Sequence, residues 1–165
     1  MKKTVGILAI CFFLCSGPGF GATKYLDLSW AEFLSGSYMG SANQLWGAAV
    51  GDYLKYIPVH FPEQTGTVSY LKAWLSDSSP SYKLIVKLFR VNLSTGEKAL
   101  VFQINTGATQ AVGKKEYTTG ILQTAGADTI DNSTYGWFLL VEGDNGSATF
   151  DLLKFHGARI TYDAT

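Results

Sequence analysis

Cysteine and histidine are scarce in this sequence. The 165 residues include two cysteines, Cys11 and Cys15, and both lie near the N-terminus. Beyond them the chain has no thiol for a disulfide, a nucleophile or a thiolate metal site. The two histidines, His60 and His156, are far apart, and no GxSxG nucleophile motif accompanies them. We therefore expect no catalytic residue and no cofactor; a secreted hydrolase built around His156 or His60 is the less favoured alternative.

Clustered positive charge and long apolar runs are also missing. Thirteen basic residues balance 13 acidic ones, and no basic stripe stands out along the chain. Nucleic-acid binding needs grouped Lys and Arg to neutralise phosphates, so we expect no nucleic-acid partner. No apolar segment approaches the ~20 residues that span a bilayer, so we expect no membrane span in the mature chain.

The first 21 residues have the features of a secretory signal peptide. Lys2 and Lys3 precede an apolar run over residues 5–15, and the small residues Gly19 and Gly21 suit cleavage after Gly21. Bulky residues precede both cysteines, which disfavours lipidation. The pattern predicts export to the periplasm or the extracellular space, and the lysine-led start together with the absence of disulfides suits a bacterial protein.

About 144 residues remain after the signal, which is enough for one domain with a full core. We predict that residues 22–58 form an N-terminal strand and a Gly/Ser-rich loop region packed on a β-sandwich. Residues 59–165 are predicted to form the sandwich core, within the same domain. Turn clusters divide this part into runs of about six to twelve residues, a spacing typical of all-β folds.

Alternation of apolar and polar residues marks three strands. In "GTVSYLKAWLSD", "YKLIVKLFRVNL" and "KALVFQIN" every second residue is apolar, the period of a strand with one face in a core. Tyr70, Lys72 and Trp74 are expected on the outer face of the first strand. The predicted inward sets are Leu71, Ala73, Leu75; Leu84, Val86, Leu88; and Leu100, Phe102, Ile104.

Two further strands flank a strong turn signal near the C-terminus. "YGWFLLVEG" and "SATFDLLKF" surround Asn145-Gly146, which favours a β-hairpin. At His156-Gly157 the apolar phase switches from odd to even positions, which predicts a β-bulge. "GATQAVGKKEYTTG" is interpreted as a loop, with a strand in "EYTTGIL" as the alternative. We predict a single antiparallel, jelly-roll-like β-sandwich of about eight to ten strands.

Several longer motifs resemble those of a group of small secreted bacterial proteins. They are "VHFPEQTGTVSYLKAWLSD", "VKLFRV", "TIDNSTYGWFLLVEG" and "ARITY", and the resemblance covers Val59 to Tyr162. Members share an Asp-Asn-Ser motif before an aromatic strand and a closing Arg-Ile-Thr-Tyr strand. The resemblance implies a jelly-roll-like β-sandwich and no particular activity.

Aromatic residues on predicted strand faces are the candidate binding residues. Tyr70 and Trp74 share one face, and Tyr135 and Trp137 share a face of another strand. Such rings suit a glycan platform, a subunit interface or intrachain packing. The leading interpretation is a non-catalytic exported protein that acts by surface interaction, either self-association or contact with an envelope or extracellular partner. A carbohydrate-binding module is the alternative.

Two loop carboxylates are the candidates for metal binding. Asp131 and Asp144 offer loop carboxylates, but neither has the ligand spacing of an EF-hand. Asp131 with Asn132 is better interpreted as an Asx-turn that leads into the Tyr135 strand. We therefore expect no metal site, with calcium at Asp131 or Asp144 as a minor alternative.

Overall fold

The computed structural model describes residues 22–29, 39–40, 44–46, 53–79, 83–107, 111–143 and 153–165. For residues 39–40, 44–46, 53–54 and 111–112 only the backbone is described. The predicted signal peptide, most of the Gly/Ser-rich loop region and the Asn145-Gly146 turn lie outside these ranges.

The described chain folds into two antiparallel β-sheets that pack face to face as a jelly-roll-like β-sandwich. A seven-stranded sheet has β11 and β5 at its centre; β1 and β3 pair with β11, β8 and β9 pair with β5, and β2 extends from β3. A four-stranded sheet has the order β4-β10-β6-β7. The strands are β1 Thr23–Ser29, β2 Met39–Gly40, β3 Gln44–Trp46, β4 Tyr53–Val59, β5 Thr65–Asp77, β6 Leu84–Asn92, β7 Lys98–Asn105, β8 Ala111–Thr119, β9 Thr129–Asp131, β10 Tyr135–Gly143 and β11 Leu153–Ala164.

The core lies between the two sheets and takes one face of every long strand. Burial alternates along β5 and β6 as the sequence predicts, and it removes the inward aliphatic and aromatic side chains from water. The largest fully buried side chains are Ile57, Phe61, Leu71, Leu75, Leu84, Leu88, Phe102, Ile130, Leu139, Phe155, Ile160 and Tyr162.

One predicted inward position in β7 is wrong. Leu88 pairs with Phe102, but its neighbour Phe89 pairs with Leu100, so Val101 is an extra residue in the ladder. Val101 is fully buried, whereas Leu100 is half-buried on the outer face. The single-residue bulge shifts the side-chain phase, which simple alternation from Leu100 to Ile104 cannot show.

The predicted hairpin between β10 and β11 is also wrong. β10 pairs with β4 on one side and β6 on the other, and β11 belongs to the opposite sheet, where it pairs with β1 and β5. β10 and β11 therefore belong to different sheets, and residues 144–152 between them lie outside the described ranges. A tight-turn signal marks a reversal of the chain, but it does not say which strand becomes the hydrogen-bonded neighbour.

The predicted bulge at His156-Gly157 is confirmed. Phe155 pairs with Leu75 and Gly157 with Trp74, which leaves His156 as the inserted residue. The buried positions switch from odd to even across it, as the sequence indicates. The segment interpreted as a loop near residue 111 is strand β8, which pairs with β5.

No helix in the described residues is long and apolar enough to cross a membrane.

Candidate functional site

The four aromatic residues singled out in the sequence lie in three places. Tyr70 and Trp74 lie on the outer face of the seven-stranded sheet; Tyr70 is 53% exposed and Trp74 is half-buried. Trp137 lies between the sheets and is 6% exposed. Tyr135 begins β10 and lines a cleft at one end of the sandwich. The structure therefore brings together Tyr70 and Trp74 but separates them from the other two.

Antiparallel pairing adds a third ring to the outer face. Tyr25 on β1 pairs with Thr161 on β11, and Thr161 pairs with Tyr70 on β5, so the two tyrosines flank one threonine in a cross-strand row. Two strand spacings separate them by about 10 Å, and four strand residues separate Tyr70 from Trp74 by about 13 Å. Tyr25 is 61% exposed. We call Tyr25, Tyr70 and Trp74 the platform.

Asp27, Arg159 and Lys72 form the cross-strand row between Trp74 and the tyrosines, and Glu116, the cross-strand partner of Trp74, pairs with Lys72. Arg159 donates two hydrogen bonds to Asp27, from Nε at 2.6 Å and from Nη2 at 2.8 Å. Lys72 Nζ lies 2.7 Å from Glu116 Oε1. The hydrogen bond from Arg159 lowers the pKa of Asp27, and the one from Lys72 lowers the pKa of Glu116. Both carboxylates therefore stay ionised well below neutral pH.

Two cations, Arg159 and Lys114, lie beside the platform rings. The guanidinium carbon of Arg159 is 5.2 Å from the Tyr25 ring centre and 5.9 Å from that of Trp74. Lys114 Nζ is also 5.9 Å from the Trp74 ring centre. These distances lie within the range of cation–π attraction. Arg159 thus links two rings that lie on different strands.

Tyr70 rests on the backbone of Gly120, just after β8. A Cβ atom at Gly120 would lie 2.6 Å from Tyr70 Cε1 and 2.8 Å from Cδ1. A side chain larger than hydrogen at position 120 would therefore push the Tyr70 ring away. The absence of a side chain at Gly120 therefore allows the Tyr70 ring to lie against the sheet edge.

Trp137 is part of an aromatic cluster inside the sandwich. Its ring meets Phe61 edge-on at 5.2 Å between ring centres, and Phe61 meets Tyr162 at 5.0 Å. The Tyr162 hydroxyl donates to Glu63 Oε2 at 2.6 Å, and burial with this contact raises the pKa of Tyr162 to about 12. Trp137 Nε1 is a buried side-chain donor that has no acceptor among the described residues. The interior position takes Trp137 out of any surface platform.

Tyr135 faces Arg90 rather than the other candidate rings. The Arg90 guanidinium carbon is 3.9 Å from the Tyr135 ring centre, and Nη1 donates to the Gly126 carbonyl at 2.9 Å. Both side chains line a cleft of about 410 Å³. We call this the end cleft.

His156 lies beside the platform and contacts a serine. Its Nε2 is 2.8 Å from Ser76 Oγ, and burial together with Lys114 and Lys154 lowers the pKa of His156. A Ser–His pair is the start of a hydrolase site, but a triad also needs an acid that orients the imidazole. The adjacent Asp77 is buried and accepts bonds from Ser79 N and Thr106 Oγ1, which engages its carboxylate inside the sandwich.

The second histidine and the metal candidates lie apart from these groups. His60 is exposed after β4. Asp131 forms the predicted Asx-turn: its Oδ1 accepts from Ser133 N at 3.0 Å, and its carbonyl accepts from Thr134 N at 3.1 Å. Asp144 lies outside the described residues. Within the described ranges no three His, Cys, Asp or Glu side chains group together as metal ligands would.

The outer face of the four-stranded sheet has rings of a different kind. Pro58, Phe138, Phe89 and Leu100 form one cross-strand row. Phe89 and Phe138 stack with 5.1 Å between ring centres, and Tyr56 tilts against Phe138 at 5.7 Å. These rings cover one another, so only Tyr56 among the three is largely exposed, at 47%.

Sequence reasoning missed two members of the site on the seven-stranded sheet. Tyr25 lies in the alternating stretch "TKYLDLS" and Arg159 in "ARITY", so each strand face could be predicted locally. Their meeting depends on the pairing of β1 with β11, across more than 130 residues of chain. Local patterning contains no signal for that pairing.

No family model matches this chain, and no curated protein matches it. Among solved structures it is similar to a xylan-binding module, CBM15, with 13% identity, a TM-score of 0.48, and coverage of 87% of this chain and 99% of that one. It is also similar to infectious bursal disease virus, Gt strain, at 9% identity and a TM-score of 0.41, covering 97% of this chain and 38% of that one. A structure titled for carbohydrate-binding modules of the β-sandwich superfamily matches at 8% identity and a TM-score of 0.39, covering 87% and 52%. At these values the matches assign no ligand.

Proposed function

We propose that this protein is an exported, non-catalytic glycan-binding module whose platform holds a polysaccharide chain against the seven-stranded sheet. The observation that carries the proposal is the arrangement of Tyr25, Tyr70 and Trp74 on one outer face, with two exposed tyrosines and ion-paired polar groups between the rings. Exposed aromatic residues grouped on one face mark an interaction site.

The chemistry of the face matches that of a sugar chain. Tyrosine and tryptophan provide large, rigid, amphipathic contact area at a low entropy cost, which suits the apolar faces of pyranose rings. Asp27, Arg159 and Lys72 supply charged donors and acceptors in the row between the rings, and Glu116 adds a carboxylate beside Trp74. Hydroxyl groups along a glycan can hydrogen-bond to this row while its rings contact the aromatics.

The shape of the face favours a long ligand over a small one. The platform rings span about 13 Å along β5 and about 10 Å across the sheet. They lie on an open sheet surface rather than in a closed pocket, so a ligand gains affinity by touching several rings at once. We therefore expect polysaccharides to bind and monosaccharides to bind the platform very weakly.

Affinity electrophoresis of the mature chain in gels that contain cellulose derivatives, xylan, mannan or mixed-linkage glucan tests the proposal. At least one polysaccharide should retard the wild type, and Trp74→Ala and Tyr70→Ala should each weaken retardation about tenfold. Tyr56→Ala is the matched control, because it removes a similarly exposed tyrosine from the other sheet. Retardation that all three variants retain equally would rule out the platform.

Self-association is a second candidate, and the apolar row on the four-stranded sheet favours it. Pro58, Phe138, Phe89 and Leu100 form a strip that a second copy of the chain could cover. Sedimentation velocity across a range of protein concentrations tests this. A concentration-dependent dimer that Phe89→Ser abolishes would support it, and a monomer at every concentration would contradict it.

A further inference from the structure

The end cleft lies away from the platform, where the β6–β7 hairpin meets the start of β10. Its described lining consists of Arg90, Asn92, Glu97, Lys98, Ala99 and Tyr135. Its volume of about 410 Å³ lies within the range of pockets that hold small ligands. The cleft belongs to the four-stranded sheet, so its occupant need not touch the platform.

Arg90 is held in position by two contacts. Along β6 the even positions Leu84, Val86 and Leu88 point into the core, and Arg90 continues that face beyond it. The guanidinium carbon lies 3.9 Å from the Tyr135 ring centre, and the Gly126 carbonyl accepts a hydrogen bond from Nη1. A guanidinium has five N–H donors, and this single bond uses one of them. The remaining donors include a pair of parallel N–H groups, here called the fork, that can bind both oxygens of a carboxylate.

Asn92 is oriented by the hairpin turn. Its Oδ1 accepts bonds from Ser94 N at 2.9 Å, Ser94 Oγ at 2.7 Å and Thr95 N at 3.1 Å. Because the carboxamide oxygen accepts hydrogen bonds within the turn, the NH₂ group is the part of Asn92 that can bind a ligand in the cleft. Asn92 therefore acts there as a hydrogen-bond donor.

The rim combines one more cation with one carboxylate. Lys98 and Glu97 are both exposed, next to each other at the start of β7. Donors thus dominate the cleft, with Arg90, Asn92 and Lys98, while Glu97 is an acceptor for a hydroxyl group. A ligand that matches this set has a carboxylate at one end and hydroxyl groups elsewhere. Glu97 disfavours a phosphate dianion, because it repels two negative charges more strongly than the single charge of a carboxylate.

We propose that the end cleft binds a single uronic acid residue, with its carboxylate on the Arg90 fork and its hydroxyl groups on Asn92 and Glu97. The Tyr135 ring forms the wall behind the guanidinium and shields one side of it from water. The site would give the protein a preference for acidic sugars that is separate from the platform. Loss of platform binding would leave this site intact, and the reverse also holds.

Titration of the isotope-labelled mature chain with D-glucuronate, D-glucose and inorganic phosphate, followed by amide chemical shifts, tests the proposal. Glucuronate should shift the amides of residues 90–99 and 135, and glucose and phosphate should each bind at least about tenfold more weakly there. Equal binding of glucose, tighter binding of phosphate, or no shift at these amides with glucuronate would each overturn it.

Variants of Arg90 separate recognition from folding. Arg90→Gln should reduce glucuronate affinity about tenfold or more, and Arg90→Lys, which keeps the charge without the fork, should lose less. Lys83→Gln, which removes an exposed positive charge before the other end of β6, is the control and should bind normally. If Arg90→Gln also lowers the melting temperature, Arg90→Lys is the deciding variant. Glucuronate affinity of Arg90→Lys equal to that of the wild type would contradict bidentate binding by Arg90.

Discussion

The two outer faces of the sandwich use aromatic residues in opposite ways. On the four-stranded sheet Phe138 packs against both Phe89 and Tyr56, so part of each ring is covered by contacts within the chain. On the seven-stranded sheet Tyr25 and Tyr70 are separated by Thr161 and bordered by the ion pairs of Asp27 and Glu116. The exposure of a ring on a strand face therefore depends on the residues that pack against it.

The largest expected effect concerns stability. Phe138→Ala removes a ring that contacts two others, so we expect a loss of about 2 kcal/mol in the free energy of unfolding. Tyr70→Ala removes an exposed ring and should change stability by less than about 0.5 kcal/mol. Urea denaturation of both variants measures this difference, and equal losses would erase the contrast between the faces.

A smaller effect is expected when a platform ring is displaced rather than removed. Gly120→Ala places a Cβ within 3 Å of the Tyr70 ring, so the ring must move, and polysaccharide binding should weaken about three- to tenfold. Gly136→Ala is the matched control on β10, since its Cβ would lie 3.1 Å from the flexible Leu93 side chain. Weaker binding in the control alone would place the ligand on the other sheet.

The next effect is a pH dependence of stability at the edge of the platform. Burial, Lys114 and Lys154 lower the pKa of His156, which also contacts Ser76. The unfolded chain therefore binds more protons than the folded one between the two pKa values. The free energy of unfolding should fall as pH drops through and below 6.5 and level off below the folded pKa.

One proton limits that slope to about 1.4 kcal/mol per pH unit. Urea denaturation between pH 7.5 and pH 5 should show the fall, and His156→Gln should flatten it. His60→Gln provides the control, because His60 is exposed in a different part of the sandwich. A slope that survives His156→Gln but not His60→Gln would contradict the assignment.

The smallest stability effect is expected at the ion pair that separates the rings. Arg159 and Asp27 are exposed, and exposed pairs contribute little to folding, so Arg159→Gln should leave the urea midpoint nearly unchanged. Polysaccharide binding should nevertheless weaken several-fold, because Arg159 lies beside both Tyr25 and Trp74. A large loss of stability with unchanged binding would give this arginine a structural role instead.

The sequence was informative wherever side-chain contacts are local. Alternation predicted the inward faces of β5 and β6 and the outward direction of Tyr70 and Trp74, because the period of a strand is two residues. The phase switch at His156-Gly157 predicted the bulge for the same reason. The Asx-turn at Asp131 could be predicted from three adjacent residues.

Besides the bulge at Val101 and the loop that is strand β8, the errors concern which strands pair with one another. "YGWFLLVEG" could pair with any strand of suitable face, and it lies between β4 and β6 rather than beside β11. Trp137 points to the same face of β10 as Tyr135, but its ring lies inside the sandwich, where it packs against Phe61. Whether an alternating residue faces core or solvent depends on which sheet is packed against it, and that is set by topology.

A chemical-shift titration of residues 22–165 with a soluble oligosaccharide of the polysaccharide that binds best is the most direct test of the platform. We expect the largest amide shift changes in β1, β5 and β11, around Tyr25, residues 70–76 and residues 157–161. The amide shifts of Tyr56, Ile57, residues 85–91 and residues 136–142 should stay unchanged. Perturbations centred on those residues of the four-stranded sheet, with the platform amides unmoved, would contradict it.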